Sequence, residues 1–203
     1  MPIRIAFVNG KGGVGKTTAT TLIAAALADA GQSVSIDDRD PQLSATTAAG
    51  IFGLPLGDSH PVVVIDTAPS VTLPSTLDAI QTADLVVLVT SPSPLDLATT
   101  AATAQWIKTE RPTGLTRLLF NLVQTNNRFF NEISEIAKEI PFPAFKHHLV
   151  RRTAYQVAQL GGWKSIPAIA REEIIQLAVE IAMAIPKVSS DKQTVGQNDN
   201  CAL

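Results

Sequence analysis

The run Asn9-Gly10-Lys11-Gly12-Gly13-Val14-Gly15-Lys16-Thr17-Thr18 decides the fold of this 203-residue chain. It satisfies the pattern G-x-x-x-x-G-K-[ST], with Gly10, Gly15, Lys16 and Thr17 at the fixed positions. In such a loop successive backbone N–H groups turn inward on a phosphate, and the following helix points the positive end of its dipole at the same place. Gly10, Lys11, Gly12, Gly13, Val14, Gly15, Lys16, Thr17 and Thr18 are therefore read as nucleotide-binding. Lys16 is expected at the β- and γ-phosphates, and Thr17 offers a hydroxyl to Mg²⁺. The flanks agree. Residues 3–8 read as a buried strand and residues 17–30 as an alanine-rich helix stopped by Gly31, which is the strand-loop-helix order the pattern requires.

Outward from the loop, acids recur where strands end. Residues 33–36 predict a short strand that runs into Asp37-Asp38-Arg39-Asp40-Pro41-Gln42, where carboxylates can hold Mg²⁺ or orient water. Residues 62–66 predict a fully buried strand closed by Asp66, a Walker B arrangement for the metal, and Thr67-Ala68-Pro69-Ser70 follows as a loop able to sense a γ-phosphate. A strand over 85–90 leads into Ser91-Pro92-Ser93-Pro94-Leu95-Asp96 and a helix over 95–108. A further strand over 116–121 ends at Asn121, which suits either a base edge or a capping role.

Helices are predicted over 131–140, 152–160 and 168–185, with an extended piece over 142–146. Strands alternating with helices imply an α/β fold, a mostly parallel twisted sheet with helices on both faces. One phosphate-loop domain is expected over residues 1–187, and a polar, disordered tail over 188–203.

Apolar residues make up 45% of the chain and charged residues 17%, which fits a globular protein and excludes a disordered one. No run is apolar enough to span a bilayer, and the chain enters a strand without a signal peptide, so a cytoplasmic location is expected. The single cysteine, Cys201, excludes a disulfide framework. Charge is uneven: residues 1–100 hold four Lys/Arg against nine Asp/Glu, and residues 101–203 hold twelve against nine. Residues 140–171 contain Lys146, Arg151, Arg152, Lys164 and Arg171 and no acid. That stretch reads either as a cationic surface for DNA phosphates or as a plain solvated face.

Taken in order, Lys11 to Thr18, Asp38-Arg39-Asp40-Pro41-Gln42, Ile65-Asp66-Thr67-Ala68-Pro69-Ser70 and Pro92-Ser93-Pro94-Leu95-Asp96 resemble the ParA/MinD family of deviant Walker ATPases. A weaker match surrounds Arg152-Thr153-Ala154-Tyr155. The resemblance implies ATP and Mg²⁺ as ligands, slow hydrolysis stimulated by a partner, and a homodimer closed around the nucleotide. It makes Lys11 the signature residue that reaches the partner's nucleotide, with Lys16, Asp38 and Asp40 completing the catalytic set and Thr17, Asp38 and Asp66 serving the metal.

The Asp-Pro-Gln form and the Pro-Ser-Pro-Leu-Asp segment are most similar to small single-domain partition ATPases. That implies nucleoid association through non-specific DNA, an adaptor or ParB-like partner, and a plasmid or carboxysome as cargo. A MinD-like membrane ATPase is the alternative, although the last helix carries Glu172, Glu173 and Glu180 where a basic anchor is needed. A metabolic synthetase on the same fold is another. The segment between Gln42 and Val62 is shorter than the resemblance implies, so the helix and loop usual there are expected to be missing.

Overall fold

The computed structural model describes residues 1–124 and 137–186. Its sheet has five parallel strands in the order β2-β3-β1-β4-β5: β1 Ile3–Val8, β2 Val34–Arg39, β3 Val62–Thr67, β4 Leu85–Thr90 and β5 Thr116–Phe120. Between and after them lie α1 Lys16–Asp29, α2 Ser44–Phe52, α3 Pro74–Thr82, α4 Pro94–Glu110, α5 Thr153–Gly161 and α6 Ala168–Ala184. The predicted helix over 131–140 and the predicted tail fall largely or wholly outside the described residues.

The three central strands β1, β3 and β4 are mostly apolar because both faces are covered. Alternation along each strand divides them between two cores. Ile5, Phe7, Val64, Val87 and Val89 pack with Leu22, Ile23 and Ala26 of α1 and with Ile174, Leu177 and Ile181 of α6. Ala6, Val8, Val63, Ile65, Val86 and Leu88 pack with Ala79 and Ile80 of α3 and with Ala104 and Ile107 of α4. Both sheet edges are closed by short extended pieces, with Leu56 opposite Ile36 on β2 and Ala144 opposite Leu118 on β5.

Two local expectations need correction. The short segment after Gln42 does contain a helix, α2. Its sequence, rich in threonine and ended by Gly50, Phe52 and Gly53, is a weak helix former, so the helix depends on burying Ala45, Ala48 and Ala49 and on a remote cap described below. The second strand runs on to Arg39, which puts Asp37 and Asp38 inside the sheet rather than in a loop. Helix α3 stands where the sequence reading places no element; its signal is Pro74 at the first turn, followed by buried Thr76, Ala79 and Ile80 at helical spacing.

Candidate functional site

Strand register sets the site. Asp38 at the end of β2 lies opposite Asp66 on β3, and Asp66 lies opposite Phe7 on β1, two residues before the loop begins. The acids therefore sit beside the phosphate loop at the C-terminal edge of the sheet, where parallel sheets bind ligands.

The loop is braced from three directions. Asn9 is fully buried; its side-chain oxygen accepts the Lys11 N–H at 2.9 Å, and its amide donates to the Val89 carbonyl at 2.7 Å and to Thr100 Oγ1 at 2.8 Å. Asn121 is buried as well and donates its amide to the Val14 carbonyl at 2.9 Å, so in this structure the side chain braces the loop from the end of β5. Gly15 has φ 83° and stands so close that a Cβ there would collide with the Asn121 amide. Gly15 also caps α1 without any side-chain acceptor, which leaves the first N–H groups of that helix available to an anion.

Lys16 is buried, and its Nζ donates to the Lys11 carbonyl at 3.0 Å. Burial lowers its pKa, and the negative charges of Asp66 and Asp40 oppose that shift. Thr17 Oγ1 donates to Asp66 at 2.6 Å, and Thr20 donates to the other carboxylate oxygen at 3.2 Å. Asp66 is fully buried, and burial pushes its carboxyl up to about 6; the Thr17 hydrogen bond pulls it down and the charge of Asp38 raises it further. A hydroxyl and a carboxylate in contact are the hard oxygen donors that Mg²⁺ takes, and the excess negative potential at Asp66 is what a cation would neutralise. The residues present fit Mg²⁺ held by Thr17 and Asp66, with Asp38 beside them.

Asp38 has a second task. Its carboxylate accepts the Thr46 N–H at 2.7 Å and the Asp40 N–H at 3.1 Å, so it caps the first turn of α2 from outside. Asp40 accepts the Gln42 N–H at 3.0 Å. Leu43, the N-cap of α2, stands in the left-handed region at φ 53° with its side chain half exposed. Arg39 spans Asp37 at 2.8 Å and Asp78 of α3 at 2.6 Å, tying this acidic segment to the far side of the site.

Lys11 turns inward within its own chain. Its Nζ pairs with Asp96 in the first turn of α4 at 2.7 Å, and Ser91 Oγ donates to the same carboxylate at 2.5 Å. Burial alone would raise Asp96, but the bonds from Lys11 and Ser91 hold it below the usual carboxylate range.

Beside the loop opens a hollow of about 520 Å³, lined by Gly13, Gly15, Thr18 and Asn121 and by Arg151, Arg152, Tyr155 and Gln156. Its size suits a small-molecule ligand. A groove of about 600 Å³ beyond β5, walled by Phe120, Ile140, Phe142 and Phe145, contains none of the phosphate-loop residues.

The basic stretch looks different in three dimensions. Lys146, Arg151 and Lys164 are exposed and Arg171 is half-buried. Arg152, expected to face DNA, instead gives Nε and Nη2 to Glu173 of α6 at 3.0 and 2.8 Å, while Glu180 accepts the Lys146 and His147 N–H groups at 2.7 and 2.9 Å. Acids absent from residues 140–171 are thus supplied by the next helix. Asn9, Asp96 and Glu173 are site residues that sequence reasoning did not assign. Asn9 and Asp96 lie within the motifs already singled out, whereas Glu173 has no sequence signal.

The sequence profile of the CobQ/CobB/MinD/ParA nucleotide binding domain matches residues 5–161. A relative named maintenance of carboxysome distribution protein A, from Gloeobacter kilaueensis, is 34% identical over 183 residues, covering 79% of this chain and 82% of the relative. Among solved structures, cobyrinic acid a,c-diamide synthase from Mycobacterium smegmatis with bound ATP analog and magnesium superposes with a TM-score of 0.72 at 17% identity, covering 90% of this chain and 94% of that one. The MinD cell division protein of Aquifex aeolicus does so with a TM-score of 0.70 at 14% identity, covering 89% and 97%. At these identities the structural likeness speaks for the fold alone, and synthase and cell-division protein share it equally.

Proposed function

We propose, from the premise that this chain belongs to the CobQ/CobB/MinD/ParA nucleotide-binding family, that it is an ATPase of the ParA type that dimerises on ATP, binds DNA without sequence preference and positions a cargo. The observation that carries the ATPase reading is the contact of Thr17 with Asp66 next to Lys16, with Asp38 opposite Asp66 in the sheet. The loop N–H groups and Lys16 hold the phosphates, and the hollow walled by Arg152, Tyr155 and Gln156 takes the nucleoside. Bound Mg²⁺ would neutralise charge on the β- and γ-phosphates. Asp38 and Asp40 lie where they can orient the attacking water.

Lys11 acts in trans in this reading, which requires it to leave Asp96 when two copies meet around nucleotide. A carboxysome rather than a plasmid as cargo is supported by the name of the 34% identical relative, a maintenance of carboxysome distribution protein. The DNA contact is assigned to Lys146, Arg151, Lys164 and Arg171, doubled by dimerisation; Arg152 is left out because Glu173 holds it.

A gel shift of non-specific duplex DNA with ADP, ATP or a slowly hydrolysed ATP analogue, repeated over a salt series, tests the whole reading. A shift confined to ATP and its analogue, fading steeply with salt, is the expected result. Absence of binding with every nucleotide would remove the DNA reading and leave the ATPase reading to a phosphate-release assay. The MinD-like alternative gains support only if liposome sedimentation then carries the protein down; among the described residues no helix is long and apolar enough to cross a membrane.

A further inference from the structure

We infer that Glu173 is a positioning residue for the nucleoside hollow: from the last helix it holds the wall formed by residues 150–156 and so sets affinity for base-bearing nucleotide without touching phosphate. The inference rests on the reading of the hollow beside the phosphate loop as the nucleoside subsite.

One carboxylate gathers four donors. Oε1 accepts the Val150 N–H at 2.7 Å and the Tyr155 hydroxyl at 3.0 Å; Oε2 accepts Arg152 Nε at 3.0 Å and Nη2 at 2.8 Å. The three donor residues lie on the turn into α5 and on its first turn, and two of them, Arg152 and Tyr155, line the hollow. Burial, then the negative charge of Glu173, raise the Tyr155 pKa, which keeps its hydroxyl protonated as a donor.

Backbone pairing holds the start of that wall, where Val150 bridges Val123 and the Arg151 N–H donates to the Val123 carbonyl at 2.8 Å, but past Arg151 few side chains secure it. Helix α5 has nine residues, no side-chain cap at its N-terminus, and only Tyr155 and Ala158 buried, while Val157 and Leu160 are 50% and 85% exposed. A helix this short does not persist on its own propensity. Its far end is set where Gly162 at φ 68° approaches the Ile51 carbonyl, 2.7 Å from where a Cβ would lie. The near end, which meets the hollow, is set by Glu173 together with the Val123–Val150 bridge, and Glu173 reaches the Arg152 and Tyr155 side chains there. The guanidinium and carboxylate meet through two bonds, which fixes the orientation of Arg152 as well as its distance.

The experiment compares ATP with inorganic tripolyphosphate as ligands of the full chain by titration calorimetry, for wild type and Glu173→Gln. The amide keeps the shape but turns a donor toward the Arg152 guanidinium. ATP affinity is expected to fall roughly tenfold while tripolyphosphate affinity stays within about twofold, and KM for ATP to rise with kcat little changed. Equal losses for both ligands, or unchanged ATP affinity, would overturn the assignment. If Glu173→Gln does not fold, Tyr155→Phe, which keeps the ring and removes one donor, is expected to weaken ATP by about two- to threefold and leave tripolyphosphate unchanged; no ATP effect there overturns it too. Failure of the wild type to bind either ligand would instead strike the nucleotide reading itself.

Discussion

Asp66 and Glu173 are both carboxylates drawn inside the protein, and their surroundings are opposite. Among the described residues Asp66 is met by two hydroxyls alone, with Lys16 nearby and Asp38 adding negative charge. Glu173 is met by a guanidinium, a backbone N–H and a phenol. The first is short of positive charge and gains from a cation; the second is already saturated with donors and can only hold its neighbours in place. A buried acid beside a phosphate loop is thus a ligand in waiting, and one at the centre of four donors is a strut.

The sharpest break in this comparison comes from Asp66→Asn. ATP hydrolysis is expected to fall by about a hundredfold or more in a phosphate-release assay, because the charge that would meet the metal is gone. The same change should raise the melting temperature of the ligand-free protein. An Asp raised to about 6 in the folded state carries a cost of about 3 kcal/mol once ionised. A variant both inactive and less stable would make Asp66 a strut as well.

The pH dependence follows in sign. Because the folded pKa of Asp66 lies above its ordinary value of 3.8, its protonated form favours folding, and that contribution is lost as pH rises through about 6. The stability difference between wild type and Asp66→Asn should therefore grow from pH 4 to 6 and flatten above. Mg²⁺-dependent ATP affinity should strengthen over the same interval as metal displaces the proton. Denaturant melts and titrations at stepped pH would read both.

Smaller effects sharpen the other half. Arg152→Gln should cost about 1–2 kcal/mol of stability by leaving Glu173 without its charged partner, while Arg151→Gln, on an exposed side chain, should cost almost nothing. Equal costs in urea melts would deny the strut. Asp96→Asn should release Lys11 and favour the ATP-bound dimer about two- to fivefold in sedimentation, with ATP affinity of the monomer unchanged. Smallest of all is Leu43→Gly: relief of a left-handed backbone, about 1 kcal/mol, offsets the entropy glycine adds to the unfolded chain. Its melting temperature should stay within a degree or two of wild type, which would leave the cap from Asp38 to Thr46, rather than Leu43, as what holds α2.

The chain alone determined the phosphate loop, the parallel α/β sheet and the acids at the ends of β2 and β3. Each is written in contiguous residues whose neighbours dictate their backbone: glycines for the left-handed turns of the loop, unbroken apolar runs for strands buried on both faces. Tertiary structure decided what the charges do. Lys11 meets Asp96, Arg152 meets Glu173, and α2 exists because Asp38 caps it and three alanines find the core. Electrostatic energy falls with distance through space and takes no account of separation along the chain. A window of residues 140–171 without acids could therefore look wholly basic and still fold against two glutamates.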